Sequence, residues 1–231
     1  MDPIEQLMQF GLTRHEAAIY LALLGNEPLN GYEVAKLTGI ARSNAYSSLS
    51  SLVEKGGAYT IEESAIKYCP VPIKDFCQNK ILKLQKIEDS LIRNIPPKTD
   101  YSEGYITIKG ENNIMDKLRN MIAVAKERIY LSVSDSILDL LRSEITTAIN
   151  RNIKVVLITN QNPNLEGAII YISNEPLNQI RLIADSTNVL TGDLNSGDQS
   201  TCLYSKKKNL IDLFKDSMKN EIKLIEIMKG N

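Results

Sequence analysis

The apolar positions near the start of the chain recur with the period of an amphipathic helix. The first stripe consists of Ala17, Tyr20, Leu21 and Leu24, whose successive members are three, one and three positions apart. Thr13 and Glu16 precede this stripe with the spacing of a capping box, in which each side chain bonds the other residue's backbone N–H. Gly25-Asn26 follows the stripe. The pattern therefore predicts a helix from about Thr13 to Leu24.

A second short helix is predicted between Asn30 and Gly39. Asn30 can cap its N-terminus. Gly39 can supply the left-handed residue that a tight turn between helices requires. The positions expected to face inward are Val34, Ala35 and Leu37.

The third helix and the hairpin complete the pattern. The helix is expected to open at Ala41 or Ser43 and to end at Gly56-Gly57, with a buried stripe of Ala45, Leu49, Leu52 and Val53. Residues 58–61 and 66–68 are expected to form two strands around a polar turn. Three helices followed by a hairpin predict a winged helix-turn-helix over residues 1–72, a module that usually places one helix in the DNA major groove.

The exposed face of the third helix is predicted to contact DNA. Short hydrogen-bonding side chains can reach base edges or phosphates, and arginine can bond guanine through two hydrogen bonds. A solvated polar face is the alternative interpretation of the same pattern. The predicted contacts, with one residue of the wing, are Arg42, Ser43, Asn44, Tyr46, Ser47, Ser48, Ser51 and Lys67.

Residues 73–97 predict a long connecting helix that ends at Pro96-Pro97. Its apolar residues are three or four positions apart, with charged residues between them. This pattern is typical of a two-stranded coiled coil or of a helix lying on its own domain. The predicted dimer seam is Cys77, Ile81, Leu84, Ile87 and Leu91.

Residues 98–231 alternate between strand-like and helix-like segments. This alternation predicts an α/β domain with a largely parallel central sheet. The chain is therefore expected to combine an α+β winged helix-turn-helix domain with an α/β domain. A final helix is expected from about Lys208 to Met228, with Leu210, Ile211, Leu213, Phe214, Met218, Ile222, Ile225 and Met228 inward.

Polar residues that follow the predicted strands form a candidate effector pocket. Open α/β sheets commonly bind ligands at the carboxyl ends of their strands. The alternative is that these residues cap helices or shape turns. The candidates are Ser134, Asp135, Asn160, Asp185 and Ser186.

Charge limits how the chain can bind nucleic acid. The whole chain carries 27 Lys+Arg and 28 Asp+Glu, so a strongly basic field is absent. Residues 1–72 contain five basic and eight acidic residues, a net charge of −3, and the predicted wing tip Glu62-Glu63-Ser64 is acidic. A winged helix that docks to protein is therefore the alternative function.

The remaining composition predicts a cytoplasmic protein without metal or cofactor. The three cysteines, Cys69, Cys77 and Cys202, have no metal-ligand spacing and are expected to be reduced thiols. The start is acidic and is not a signal peptide, and no apolar run reaches the roughly 20 residues of a membrane span.

Residues 11–72 resemble the N-terminal domain of the TrmB family of transcriptional regulators. The resemblance is carried by Gly11-Leu12-Thr13, Glu16-Ala17, Tyr20-Leu21, Leu23-Leu24, Ala35, Gly39 to Ser43, Tyr46, Leu49, Leu52, Lys55-Gly56 and Tyr68 to Pro72. It implies sequence-specific binding to double-stranded DNA, usually as a homodimer, with the segment from Arg42 to Ser51 as the contacting helix. A small-molecule effector is a further expected partner.

The segment from Ala184 to Asp193 resembles part of the phospholipase D fold, as in the C-terminal domain of TrmB-type regulators. The enzymes of that fold carry His, then Lys two residues on, then Asp five further on. With Asp185 as the Asp, Asn178 takes the His position and Ile180 the Lys position. A phosphodiesterase of this fold needs an imidazole nucleophile. The one histidine of the chain, His15, lies in the predicted winged helix-turn-helix domain. The chain is therefore predicted not to be an enzyme.

Overall fold

The computed structural model describes residues 2–62, 65–96, 104–174, 177, 179–194 and 200–229. The chain divides into two compact units, Met1–Lys98 and Thr99–Asn231.

Two helices of the N-terminal unit begin at the capping residues that the sequence predicted, Thr13 and Asn30. Thr13 Oγ1 accepts a hydrogen bond from the Glu16 N–H at 3.3 Å, and the Thr13 N–H donates to Glu16 Oε2 at 2.7 Å, so the predicted capping box is confirmed. The helices are α1 (Pro3–Gln9), α2 (Arg14–Leu24), α3 (Gly31–Thr38), α4 (Arg42–Glu54) and α5 (Ile73–Asn94). The sequence pattern did not predict α1, which buries a single residue, Leu7.

The turn between α3 and α4 also follows the sequence. Gly39 has φ of 69°, in the left-handed region, and Asn30 caps α3 through a second capping box with Glu33. Ala41 precedes α4 and makes no side-chain cap. Leu37 was predicted to face inward, but it is 53% exposed, because the short α3 buries only Gly31, Val34 and Ala35.

The wing is a three-stranded antiparallel sheet. It contains β1 (Leu29–Asn30), β2 (Ala58–Glu62) and β3 (Ile66–Pro70), with β3 in the centre. The two-residue β1 was not predicted. Beyond β3, the buried Tyr20 hydroxyl donates to the Val71 carbonyl at 2.7 Å, which fixes the end of the wing to α2. Burial raises the pKa of Tyr20 to about 12, so this hydroxyl keeps its proton.

Helix α5 is anchored at its first turns and then leaves the core. Phe76 is buried, and its ring lies 5.4 Å from the Tyr20 ring. Cys77 packs against the same core. From Ile81 to Asn94 every residue except the half-buried Ser90 is exposed. The rest of α5 is therefore not covered by its own unit.

In the described part of the C-terminal unit, seven strands form one sheet in the order β4-β10-β9-β8-β5-β6-β7. The strands are β4 (Tyr105–Lys109), β5 (Arg128–Ser132), β6 (Lys154–Thr159), β7 (Ile169–Ile172), β8 (Ile180–Ala184), β9 (Asn188–Asp193) and β10 (Thr201–Ser205). The helices are α6 (Glu111–Val124), α7 (Asp135–Leu140), α8 (Arg142–Asn150) and α9 (Lys208–Lys229).

The predicted largely parallel sheet is wrong, although the mixed α/β class is confirmed. Only the β5–β6 and β6–β7 pairs are parallel within the described residues, and the other pairs are antiparallel. A turn too short for a crossover helix joins β8 to β9, so these strands must run antiparallel. Strand β7 was not predicted, and the segment after β5 forms two consecutive helices, α7 and α8.

Helices cover both faces of this sheet. Helices α6 and α8 pack on one face, and α9 packs on the other against Ile158, Ile183 and Val189. Leu213 and Met228 of α9 were predicted to face inward. Both are exposed, because α9 has one side on the sheet and its other side in solvent.

Candidate DNA-binding surface

Helix α4 is fixed in the N-terminal unit by its apolar face. Ala45, Leu49 and Leu52 are fully buried against the core that α2 and α3 share. Because these residues are spaced by four and three positions, they leave the opposite side of α4 in solvent.

The exposed side of α4 is polar, and most of its exposed residues lie in the first half of the helix. Arg42, Ser43, Asn44, Tyr46 and Ser47 are exposed. Ser48 is half-buried, at the border of the apolar face. Five of the predicted contacts therefore share one accessible surface, which we call the α4 face (Arg42, Ser43, Asn44, Tyr46 and Ser47).

Arg42 is held by an aromatic ring that the sequence pattern did not single out. The guanidinium carbon lies 4.5 Å from the centroid of the Tyr32 ring in α3. A cation placed over an aromatic face is attracted by the ring's quadrupole. Tyr32 carried no periodic signal of its own, and only the packing of α3 on α4 reveals its role.

Tyr46 is positioned by a glycine in α3. A Cβ atom at Gly31 would lie 2.6 Å from Tyr46 Cζ, well inside contact distance. The ring can therefore rest on α3 because residue 31 has no side chain. Tyr46 remains half exposed, with 50% of its surface accessible.

The far end of α4 is tied to α2 by a buried carboxylate. Lys55 Nζ lies 2.6 Å from Glu16 Oε2 and 3.1 Å from the Gly11 carbonyl oxygen. Glu16 is 3% exposed, and burial disfavours its charged form. The hydrogen bonds from Lys55, Ser51 and the Thr13 N–H outweigh burial and lower the Glu16 pKa below its ordinary value.

This arrangement corrects one predicted contact. Ser51 is half-buried and bonds the Glu16 carboxylate, so its predicted place on the exposed face of α4 is wrong. By the helical period Ser51 lies on the same side of α4 as Ser47, but it is near the helix end, where the Glu16 carboxylate that binds Lys55 also contacts it.

The wing contributes less positive charge than the α4 face. Lys67 lies in the central strand β3, is half-buried and already takes part in an interaction. Glu62 is exposed at the end of β2, whereas Glu63 and Ser64 of the predicted acidic tip lie outside the described residues.

The five candidate effector residues do not share one site. Ser134, Asp135 and Asn160 come after the ends of the parallel strands β5 and β6. Strand β8 runs antiparallel to β5, with Ala184 opposite Ile129, so the turn after β8 lies at the other end of the sheet. The predicted grouping of Asp185 and Ser186 with the other three is therefore wrong.

Asp185 instead organises a turn. Its carboxylate accepts hydrogen bonds from the N–H groups of Lys126, Glu127 and Arg128 at 2.8 to 3.0 Å. Partial burial opposes ionisation, but these bonds dominate and lower the Asp185 pKa. Asp185 and Ser186 have φ of 50° and 54°, which is the left-handed backbone of a tight turn.

The position that holds lysine in the phospholipase D motif is occupied here by an apolar residue. Ile180 occupies the lysine position at the start of β8 and is completely buried. Asn178 at the histidine position lies outside the described residues. In the part of the chain that the structure describes, no cluster of His, Cys, Asp and Glu could hold a metal ion. Within the same part, no helix is long and apolar enough to span a membrane.

Two related sequences cover much of the chain. YrhO of Bacillus subtilis (strain 168), described as uncharacterized, is 26% identical over 98% of this chain and 86% of its own length. The HTH-type sugar sensing transcriptional regulator TrmBL1 of Pyrococcus furiosus is 28% identical over 68% of this chain. That match spans only 47% of TrmBL1, so this chain corresponds to about half of that relative.

Two solved structures resemble the chain. TrmBL2, described as an archaeal chromatin protein with a novel mode of DNA binding, has 21% identity and a TM-score of 0.47 over 95% of this chain and 96% of its own. Nuc of Salmonella typhimurium, a phospholipase D family member, has 15% identity and a TM-score of 0.40 over 51% of this chain and 93% of its own.

Two family models match the chain, one in each unit. The first, described as sugar-specific transcriptional regulator TrmB, matches residues 7–74, which include the α4 face. The second, described as the EBD N-terminal subdomain of the transcriptional regulator TrmB, matches residues 104–219, about half of the chain. The chain therefore belongs to the TrmB family of transcriptional regulators.

Proposed function

We propose that this regulator binds double-stranded DNA through the α4 face. The observation that carries the proposal is the accessible start of α4, where Arg42 lies over the Tyr32 ring beside Ser43, Asn44 and Ser47. The buried side of the same helix fixes it to the core. A rigid helix with short polar side chains can approach the floor of the major groove closely.

Arg42 is the residue proposed to read a base. Its guanidinium offers paired donors that match the two acceptors of guanine in the major groove. Contact with Tyr32 restricts the side chain before DNA arrives, which reduces the entropy lost on binding. Ser43, Asn44 and Ser47 are proposed to bond phosphates or neighbouring bases. Ser48 and Lys67 would contribute at the edge of the surface, because both are half-buried.

The functional unit is proposed to be a homodimer joined along α5. Ile81, Leu84, Ile87 and Leu91 are 45–53% exposed and form a stripe that this chain leaves uncovered. Cys77, predicted as part of the seam, packs against its own core instead. Helix α5 has 22 residues and is about 33 Å long. Pairing two such helices would hold two α4 faces in a fixed relation, as a palindromic operator requires.

The C-terminal unit is proposed to stabilise the dimer and to sense an effector rather than to catalyse phosphodiester cleavage. The lysine position of the phospholipase D motif holds the buried Ile180, which can neither donate a hydrogen bond nor carry charge. The histidine, His15, lies in the other unit. Ser134, Asp135 and Asn160 remain the strand-end residues proposed for an effector.

A protein-docking winged helix is the second candidate, and the net charge of −3 over residues 1–72 favours it. The two functions differ in their response to salt. A DNA-binding regulator releases counterions from each phosphate that it neutralises. The logarithm of its binding constant therefore falls linearly with the logarithm of the salt concentration.

The test starts with DNA recovered by immunoprecipitation of the regulator from its native host. Enriched duplexes and scrambled duplexes of equal length are then titrated with purified protein by fluorescence anisotropy at several salt concentrations. We expect enriched duplexes to bind more tightly than scrambled ones, with affinity falling as salt rises. Absence of enrichment together with no measurable duplex binding at low salt would favour the protein-docking function.

A further inference from the structure

A groove runs beside α9 on the sheet face that this helix covers. Its volume is about 510 Å³, within the range of small-molecule sites. The floor is apolar and aromatic, with Tyr130 and Ile183 from the sheet and Met218 and Ile222 from α9. The charged residues that line it are Lys215, Asp216, Lys219, Lys223 and Glu226.

Three lysines form a row along this groove. Lys215, Lys219 and Lys223 are four positions apart in α9, so their side chains lie on one flank of the helix. Within the described residues, none of the three has a carboxylate oxygen within 4.0 Å of its ammonium group. Among the described residues, the row is therefore a set of cations without an ion-pair partner.

The two acids of the groove only partly offset this charge. Three lysines against Asp216 and Glu226 leave a net charge of +1 along the lining. Burial raises the pKa of the Tyr171 hydroxyl of β7, and the neighbouring Glu226 carboxylate, which accepts a hydrogen bond from it, raises it further. One of the two acids therefore already has a hydrogen-bonding neighbour.

A half-buried ion pair holds α9 against the sheet from its other flank. Arg181 Nη2 of β8 lies 2.7 Å from Glu221 Oε2 and 2.8 Å from the Ser132 hydroxyl. Glu221 is two positions from both Lys219 and Lys223, which places it about 160° around the helix from them. This ion pair fixes the position of α9 on the sheet, so the helix forms a rigid side of the groove.

We propose that this groove binds a small organic anion with an apolar, preferably aromatic, body. The body would lie on Tyr130 and Ile222, which keep accessible surface in the groove, and the anionic group would pair with Lys219 and Lys223. Burial of the body supplies affinity, and a charge-assisted hydrogen bond selects the head group. The site is separate from Ser134, Asp135 and Asn160, and it does not depend on the DNA-binding proposal.

The test compares three probes that differ only in their head group. The full chain is titrated by calorimetry with 4-phenylbutyrate, 4-phenyl-1-butanol and 4-phenylbutylamine. We expect the acid to bind about tenfold more tightly than the alcohol, and the amine to bind most weakly. A groove that serves only to let lysine stems cover apolar surface would not distinguish the three probes.

Substitutions of the groove lysines test whether the probes bind in this groove. Lys219→Gln/Lys223→Gln should weaken 4-phenylbutyrate at least about fivefold and leave the alcohol unchanged, because a charge-assisted bond is lost. Lys83→Gln/Lys86→Gln in α5 removes the same charge and should change neither. Absence of binding, equal binding of acid and alcohol, or acid binding unaffected by the groove variant would overturn the proposal. A change in the sedimenting mass of the groove variant would also overturn it, by assigning the groove to a contact between copies.

Discussion

Gly31 in the first turn of α3 lies directly against the Tyr46 ring of α4, where an added Cβ would come within 2.6 Å of Tyr46 Cζ. This exposed tyrosine is thus positioned by the absence of a side chain on the neighbouring helix. The two residues are separated by fifteen positions in sequence, and no local pattern connects them.

Gly31→Ala should displace the Tyr46 ring and weaken operator binding as much as Tyr46→Ala does. The double variant should be no weaker than either single variant, because both changes remove the same contact. Anisotropy titrations of the three variants with an enriched duplex measure this coupling. Additive losses in the double variant would mean that Gly31 acts independently of the ring.

Glu16→Gln should destabilise the N-terminal unit by about 1–3 kcal/mol, because its charge-assisted hydrogen bonds are weakened. The lowered pKa also makes the effect depend on pH. A carboxyl whose pKa is lower in the folded state stabilises the fold above its unfolded pKa, near the ordinary value of 4.5, and loses this contribution as pH falls through the folded pKa.

Urea unfolding of wild type and Glu16→Gln between pH 3 and pH 7 measures both effects. The difference between the two proteins should be largest near neutral pH and should shrink below about pH 4.5. Glu27→Gln is a matched control, since Glu27 is exposed and no ion pair of this residue occurs among the described residues. A difference that stays constant over the whole range would contradict the assigned role of the Glu16 charge.

Asp185→Asn should destabilise the C-terminal unit by about 1–3 kcal/mol, because three backbone N–H groups lose a charged acceptor. Asparagine tolerates the left-handed backbone at this position, so the variant tests charge rather than strain. Thermal unfolding measures the change, and the comparison is Asp139→Asn, at an exposed residue whose ion pair is with Arg142. Equal stability of Asp185→Asn and wild type would make Asp185 a ligand-binding candidate again.

Leu84→Glu should convert the proposed dimer into a monomer, because it places a charge in the α5 seam. Leu82→Glu is a closely matched control. Leu82 is 55% exposed and Leu84 is 53% exposed, but two positions place Leu82 about 160° around the helix. Sedimentation velocity should report a loss of mass for Leu84→Glu alone. If neither variant changes the mass, α5 does not pair the copies.

The sequence predicted features that depend on short-range patterns. The Thr13 and Asn30 caps, the Gly39 turn and the full length of α5 follow from residues within a few positions of one another. The ring of Tyr32 under Arg42 was not predictable in this way, because it depends on how α3 packs against α4.

The C-terminal sheet illustrates the same limit. Most strand positions could be predicted from apolar runs, but strand directions depend on the connections, and β8 runs antiparallel to its neighbour β5. The error in direction moved Asp185 and Ser186 to the wrong end of the sheet. The lysine row of α9 was also not predicted as a binding site. Its place in a groove depends on contact with Tyr130 and Ile183 of the sheet, which are distant from it in sequence.

DNA reading by the α4 face is tested most sharply by comparing Arg42→Ala with Arg14→Ala on an enriched duplex and on a scrambled duplex. Arg14 is exposed at the start of α2, near the Glu16–Lys55 pair and therefore at the opposite end of α4 from Arg42. Both variants remove one positive charge, so any difference between them reports position rather than net charge. We expect Arg42→Ala to lose about 1–3 kcal/mol on the enriched duplex and much less on the scrambled one, because it loses a base contact. Equal effects of the two variants on both duplexes would contradict the claim that the α4 face reads DNA.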